Sequence, residues 1–165
     1  MKLNIVFTLL LVFVLAVVAS AQTKTSGTAQ CGKPELQHSI QVGDRPNHSF
    51  AISQSKCTWT KPIEVTGIQG KEGVSTGFAE ISGNTSCGRI FYTDTMTNGD
   101  KIFYREEITV TLKDGIPQSG DARWTAVGGT GKFKGIKAKG TCKLASAAAD
   151  GSGIWECEGE YEPPK

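Results

Sequence analysis

The sequence predicts an all-β protein: a single antiparallel β-barrel of roughly eight strands, with a β-sandwich as the alternative architecture. Three observations predict it. Apolar and polar residues alternate over short runs, and no long stretch repeats apolar positions at the three-four spacing of a helix. Glycine is abundant, 20 of 165 residues, and clusters between those runs. Asn98-Gly99 separates two long β-rich runs, the strongest short-range hairpin signal.

The elements follow in chain order. Residues 1–21 have the layout of a secretory signal. Lys2 opens it, Ile5 to Val18 is apolar apart from Thr8, and Ala19-Ser20-Ala21 predicts cleavage after Ala21. The apolar run is shorter than the about 20 residues that span a bilayer. The expected location is therefore secreted or periplasmic, with no membrane association after cleavage. Residues 22–30 are small and polar and read as a flexible leader. Residues 31–162 form the barrel domain. Its predicted strands are Ser49–Ser53, Cys57–Val65, Val74–Ser82, Arg89–Met96, Lys101–Leu112, Asp121–Val127, Ile136–Leu144 and Gly153–Tyr161. Closing such a sheet removes its exposed edges without covering helices.

Charge is nearly balanced, 18 Lys+Arg against 16 Asp+Glu, which excludes a strongly basic nucleic-acid binder. The five cysteines are an odd number, so at least one has no partner within the chain. Cys142 and Cys157 lie on successive strands about the turn Ala148-Ala149-Asp150-Gly151, which brings them within bridging distance. Cys31 and Cys57 are the second expected pair, and Cys87 is the free thiol. No Cys-x-x-Cys occurs, so neither a metal nor a cofactor is expected.

The densest motif is Val127-Gly128-Gly129-Thr130-Gly131-Lys132-Phe133-Lys134-Gly135. Its glycine spacing is not that of a phosphate-binding loop, and an alternating run rather than a helix follows it. It predicts a structural corner, with Phe133 inserted in the core. The strand Trp124-Thr125-Ala126-Val127, this corner and the returning strand together resemble the corner of the dirigent proteins and allene oxide cyclase-like barrels. That resemblance covers about 20 residues. It implies an eight-stranded antiparallel barrel with an apolar cavity, often assembled as a homo-oligomer. Gly43-Asp44-Arg45-Pro46 and Cys57-Thr58-Trp59-Thr60 further resemble small secreted bacterial proteins of no assigned function. The shared corner is a fold signature, and no active-site residue is carried over from it.

Along Lys101–Leu112, alternation puts Ile102, Tyr104, Glu106, Ile108, Val110 and Leu112 on one face. If that face is the interior, Glu106 is a carboxylate among apolar neighbours, suited to acid–base work or to binding a ligand hydroxyl. A two-residue Asn-Gly turn would set Thr93 opposite Tyr104 and Phe91 opposite Glu106. The commoner arrangement is a bulge at Glu106-Glu107 that turns both acids to solvent, or a position near the barrel rim. His38, Asp44 and His48 fall in a polar stretch that reads as surface loop. Asn47 and Asn84 head glycosylation sequons.

The expected function is binding of a small, partly apolar molecule in the barrel, with Tyr104, Ile108 and Trp124 in the cavity wall. Two other roles stay open. One is a cyclase- or isomerase-type enzyme using Glu106, and the other is a structural module whose barrel is filled by its own side chains.

Overall fold

The structure is a computed structural model that describes residues 22–164. The expected signal segment lies outside the described residues. The strands are β1 (Thr23–Cys31), β2 (Leu36–Gln41), β3 (His48–Lys61), β4 (Glu64–Val65), β5 (Ile68–Ser82), β6 (Thr85–Met96), β7 (Lys101–Lys113), β8 (Ile116–Gly129), β9 (Lys137–Ala147) and β10 (Gly153–Glu162). Every pairing is antiparallel. The order runs β3-β1-β10-β9-β8-β7-β6-β5, and β5 returns to β3, which closes an 8-strand barrel. The sandwich alternative is thereby excluded. β2 extends β3 beyond the barrel wall, and β4 is a short flap on β5.

Residues 22–30 are not a flexible leader. Thr23–Cys31 is a barrel strand, bonded to β10 along its length and to β3 at its end. Only Gly27 and Ala29 of this strand are buried, which explains its polar composition. At Gly27 an added Cβ would meet the Lys61 carbonyl and the Trp59 ring at under 3 Å, so bulk there comes from the neighbouring strand. β2 likewise arises where a loop was expected; it is exposed on both faces and so lacks the alternation that marks a half-buried strand.

The β6–β7 turn sets the register of the functional face. Thr95 pairs with Lys101 and the Met96 N–H donates to the Asp100 carbonyl, so three residues, not two, lie between Met96 and Asp100. Gly99 takes the left-handed conformation that ends such a loop, at φ +85°. The one-residue difference moves Phe91 to the outside and brings Tyr92 opposite Tyr104 and Ile90 opposite Glu106.

The glycine corner contains a single 3-10 turn, Gly131–Phe133, and no α-helix. It is tied to the β6–β7 turn. Thr130 accepts from the Lys101 N–H at 2.8 Å, and Asp100 accepts from the Lys132 N–H at 3.1 Å. Phe133 is fully buried in a cluster with Val65, Met96, Ile102 and Ile136, which fills one end of the barrel.

Disulfides join Cys31 to Cys57 and Cys142 to Cys157, both in the wall, and these bridges fit an extracellular or periplasmic setting. Cys87 is free and exposed on β6. Without reductant, native protein is expected to take up one maleimide per chain, located at Cys87 by peptide mass. Labelling at Cys31 or Cys57 would contradict the pairing.

Candidate functional site

The end of the barrel opposite Phe133 holds a cavity of about 220 Å³. Tyr104, Glu106 and Ile108 reach it from β7, Trp124 and Ala122 from β8, and Trp59 from β3. These positions alternate along their strands, and alternation in a closed barrel points every second side chain inward. Trp124 meets Tyr104 edge to face, with centroids 5.4 Å apart. The sequence-predicted residues Tyr104, Ile108, Trp124 and Glu106 thus share one cavity.

Glycines on neighbouring strands make room for the rings. An added Cβ at Gly140 or Gly159 would collide with the Trp124 indole, and one at Gly73 would collide with the Tyr92 hydroxyl. Any larger residue at these positions would displace the rings.

Glu106 is not turned out by a bulge. The irregularities of the β7–β8 pairing fall between Phe103 and Tyr104 and between Thr111 and Leu112, each placing an extra residue in β8. The alternation of β7 therefore runs unbroken through Glu106. Among the described residues no hydrogen bond or ion pair reaches its carboxylate, and burial alone raises its pKa to about 7.

A second acid lies deeper, and the sequence reading missed it. Asp94 is fully buried, and it accepts a hydrogen bond from Trp59 Nε1 at 2.9 Å. Among the described residues its other oxygen has no partner. Burial raises its pKa to about 7, offset in part by the Trp59 bond. The signal was available: Tyr92, Asp94 and Met96 alternate inward along β6, once the turn is given its third residue. Tyr92 also lines the cavity, and among the described residues its buried hydroxyl has no partner.

His38, Asp44 and His48, read from the sequence as surface loop, lie on or beside strands and do not form one site. His38 is exposed on β2. His48 is buried at the start of β3, with Nδ1 against Asp44 and Nε2 at 2.9 Å from Glu80. The Asp44 hydrogen bond raises the His48 pKa, with the Glu80 bond acting the same way, and His48 in turn lowers that of Asp44. The arrangement clasps the β2–β3 connection to β5. Asn47 and Asn84 are both exposed at turns.

A larger depression of about 980 Å³ lies on the outer wall over β1, β8, β9 and β10. It is open to solvent, and its charges include the Lys139–Glu160 pair at 3.2 Å. The unpartnered Glu106 carboxylate among aromatic rings distinguishes the smaller interior cavity as the chemically informative one.

No family model matches the chain, and no curated protein is similar to it in sequence. Solved structures do match. One pterocarpan synthase dirigent protein aligns over 91% of this chain and 94% of its own, with TM-score 0.52 and 16% identity. A second covers 88% of this chain and 97% of its own, with TM-score 0.50 and 15% identity. A pyocyanin demethylase aligns over 81% of this chain and 98% of its own, at TM-score 0.44 and 16% identity. The barrel has the dirigent-like fold.

Proposed function

We propose that this is an exported barrel that binds a small, partly apolar molecule in its interior cavity. The observation that carries the reading is the unpartnered Glu106 carboxylate facing an aromatic-lined space. Volume alone favours a filled structural module, because about 220 Å³ lies below the roughly 300 Å³ at which small-molecule pockets begin. The lining argues the other way. A barrel filled only for stability gains nothing from an acid without a partner, since a buried unsatisfied group costs about 1–3 kcal/mol. The space also exceeds the roughly 150 Å³ cavity that admits benzene, so a one-ring ligand with a short polar arm fits.

The test is a thermal-shift titration with phenol, indole, benzyl alcohol and benzylamine. At least one is expected to raise Tm saturably, by the mass action of binding the folded state. Ala122→Phe, which fills the cavity, is expected to abolish the shift. A flat response to all four at millimolar concentration would refute the reading.

A second reading has its own support. A carboxyl group with a pKa near 7 populates both protonation states at neutral pH, as a general acid–base requires. An isomerase- or cyclase-type reaction with Glu106 as the acid or base follows from that. The pterocarpan synthases show that an enzyme can occupy this fold, though fold by itself assigns no activity. Turnover abolished by Glu106→Gln, with ligand binding retained, would establish this second reading; binding without turnover of any ligand found would exclude it.

A further inference from the structure

We propose that the ligand of the interior cavity is an organic cation, a small ammonium compound with one ring or a short apolar body. The inference rests on the reading of the cavity as a ligand site and names the charge of what enters it.

The argument begins with a missing counter-charge. Glu106 faces the cavity, and among the described residues its lining contains no Lys, Arg or His. An anionic ligand would meet a carboxylate with nothing to offset it. A neutral ligand could donate a hydrogen bond to that carboxylate but would bring no charge to offset it. A cation supplies the absent partner directly, in a low-dielectric space where such a pair is strong.

The walls favour the same charge. Trp59, Tyr104, Trp124 and Trp155 all line the space, and a cation over an aromatic face gains from the ring quadrupole, most of all over tryptophan. The Trp59 indole donates its N–H to Asp94, which places a second acid at the edge of the ring. That hydrogen bond increases electron density on the indole face and strengthens its attraction for positive charge. The Tyr92 hydroxyl, also unpaired, adds an oxygen that can accept from an ammonium N–H. The molecule as a whole is nearly charge-balanced, so this negative interior is a local feature.

Binding is linked to protonation. The titratable groups facing Glu106 are Tyr92 from β6 and Tyr104 on its own strand, and burial raises the pKa of both phenols. β3 and β5 contribute Ser55 and Ser75 to the lining, β8 contributes Trp124, and the β9 and β10 cysteines there are bridged. Glu106 is therefore the cavity group that changes charge between pH 5 and 8, with Asp94 at the edge of Trp59 changing over the same range. A cation selects their ionised forms, so its affinity falls as the pH drops through 7.

The experiment compares benzylammonium with benzyl alcohol by calorimetric titration of the full mature chain at pH 8. The two differ in charge and little in size. Benzylammonium is expected to bind at least tenfold more tightly. At pH 5, where the amine stays protonated and Glu106 does not stay ionised, the preference is expected to shrink severalfold. Glu106→Gln at pH 8 is expected to bring the two affinities within about threefold, a loss of roughly 0.7 kcal/mol or more of discrimination. The wild-type pH series reads the same effect without depending on how the variant folds. Equal or tighter binding of the alcohol at pH 8 overturns the cation inference and leaves the ligand-binding reading intact. Binding of neither probe, together with a flat response to phenol and indole, refutes both.

Discussion

Acidification from pH 8 to pH 5 is expected to stabilise this protein, by about 3 kcal/mol or more. Asp94 and Glu106 both have pKa values raised to about 7 in the folded chain, from ordinary values of 3.8 and 4.5. Between those limits the folded state binds more protons than the unfolded one, so stability falls as the pH rises. The contribution is fully present below about pH 4 and is lost as the pH climbs through 7. Asp94 carries the larger share, because it is fully buried while Glu106 faces a cavity that admits water. One pKa unit corresponds to about 1.4 kcal/mol. His48, whose pKa is raised by Asp44, acts in the same direction at higher pH. Asp44 and Asp150, held below 3.8, act in the opposite direction but only below that pH, outside the window. Urea unfolding at pH 5, 6, 7 and 8 checks the slope. Asp94→Asn with Glu106→Gln is expected to remove most of it. An unchanged slope in that double variant would place its origin at His48 or elsewhere.

The second large effect is at the sealed end. Phe133→Ala is expected to destabilise the protein by about 3–5 kcal/mol, the range for deleting a buried aromatic side chain. Phe133 is fully buried, and the corner that carries it is tied to the β6–β7 turn through Thr130 and Asp100. The rigid tie limits collapse into the space left behind, which puts the cost toward the upper end of that range. Chemical denaturation measures it directly. A loss below about 1 kcal/mol would show that the corner is only a surface connection.

The glycine corner was the most legible part of the sequence, because its chemistry is local. Glycine spacing, a following alternating run and one large apolar residue together dictate a bend with a plug. The Cys142–Cys157 pair was legible for the same reason, since one turn lies between its strands. β1 was not legible. Its inward residues are Gly27 and Ala29, because Trp59 on β3 already fills that part of the interior, and no single segment records its neighbour's bulk. Alternation along β7 offered an inward Glu106 only as the less common arrangement, because alternation cannot show whether a bulge interrupts it, and the same alternation on β6 was read one residue out of phase. Asn-Gly marks a hairpin without fixing whether its loop has two residues or three, and a one-residue slip exchanges the faces of a whole strand. Asp94 was lost to that slip. Its inward position depends on the β6–β7 register, which the Met96–Asp100 hydrogen bond sets.

The central claim is that a closed barrel holds an acid without a partner inside an aromatic cavity. Carbon-detected NMR of the glutamate side-chain carboxyls, with Glu106→Gln to assign the resonance, tests it most directly. The account predicts a Glu106 midpoint near pH 7, displaced downward when benzylammonium is added. A midpoint near the ordinary 4.5, unmoved by the amine, would mean that the side chain stands in open water, and the account would be wrong.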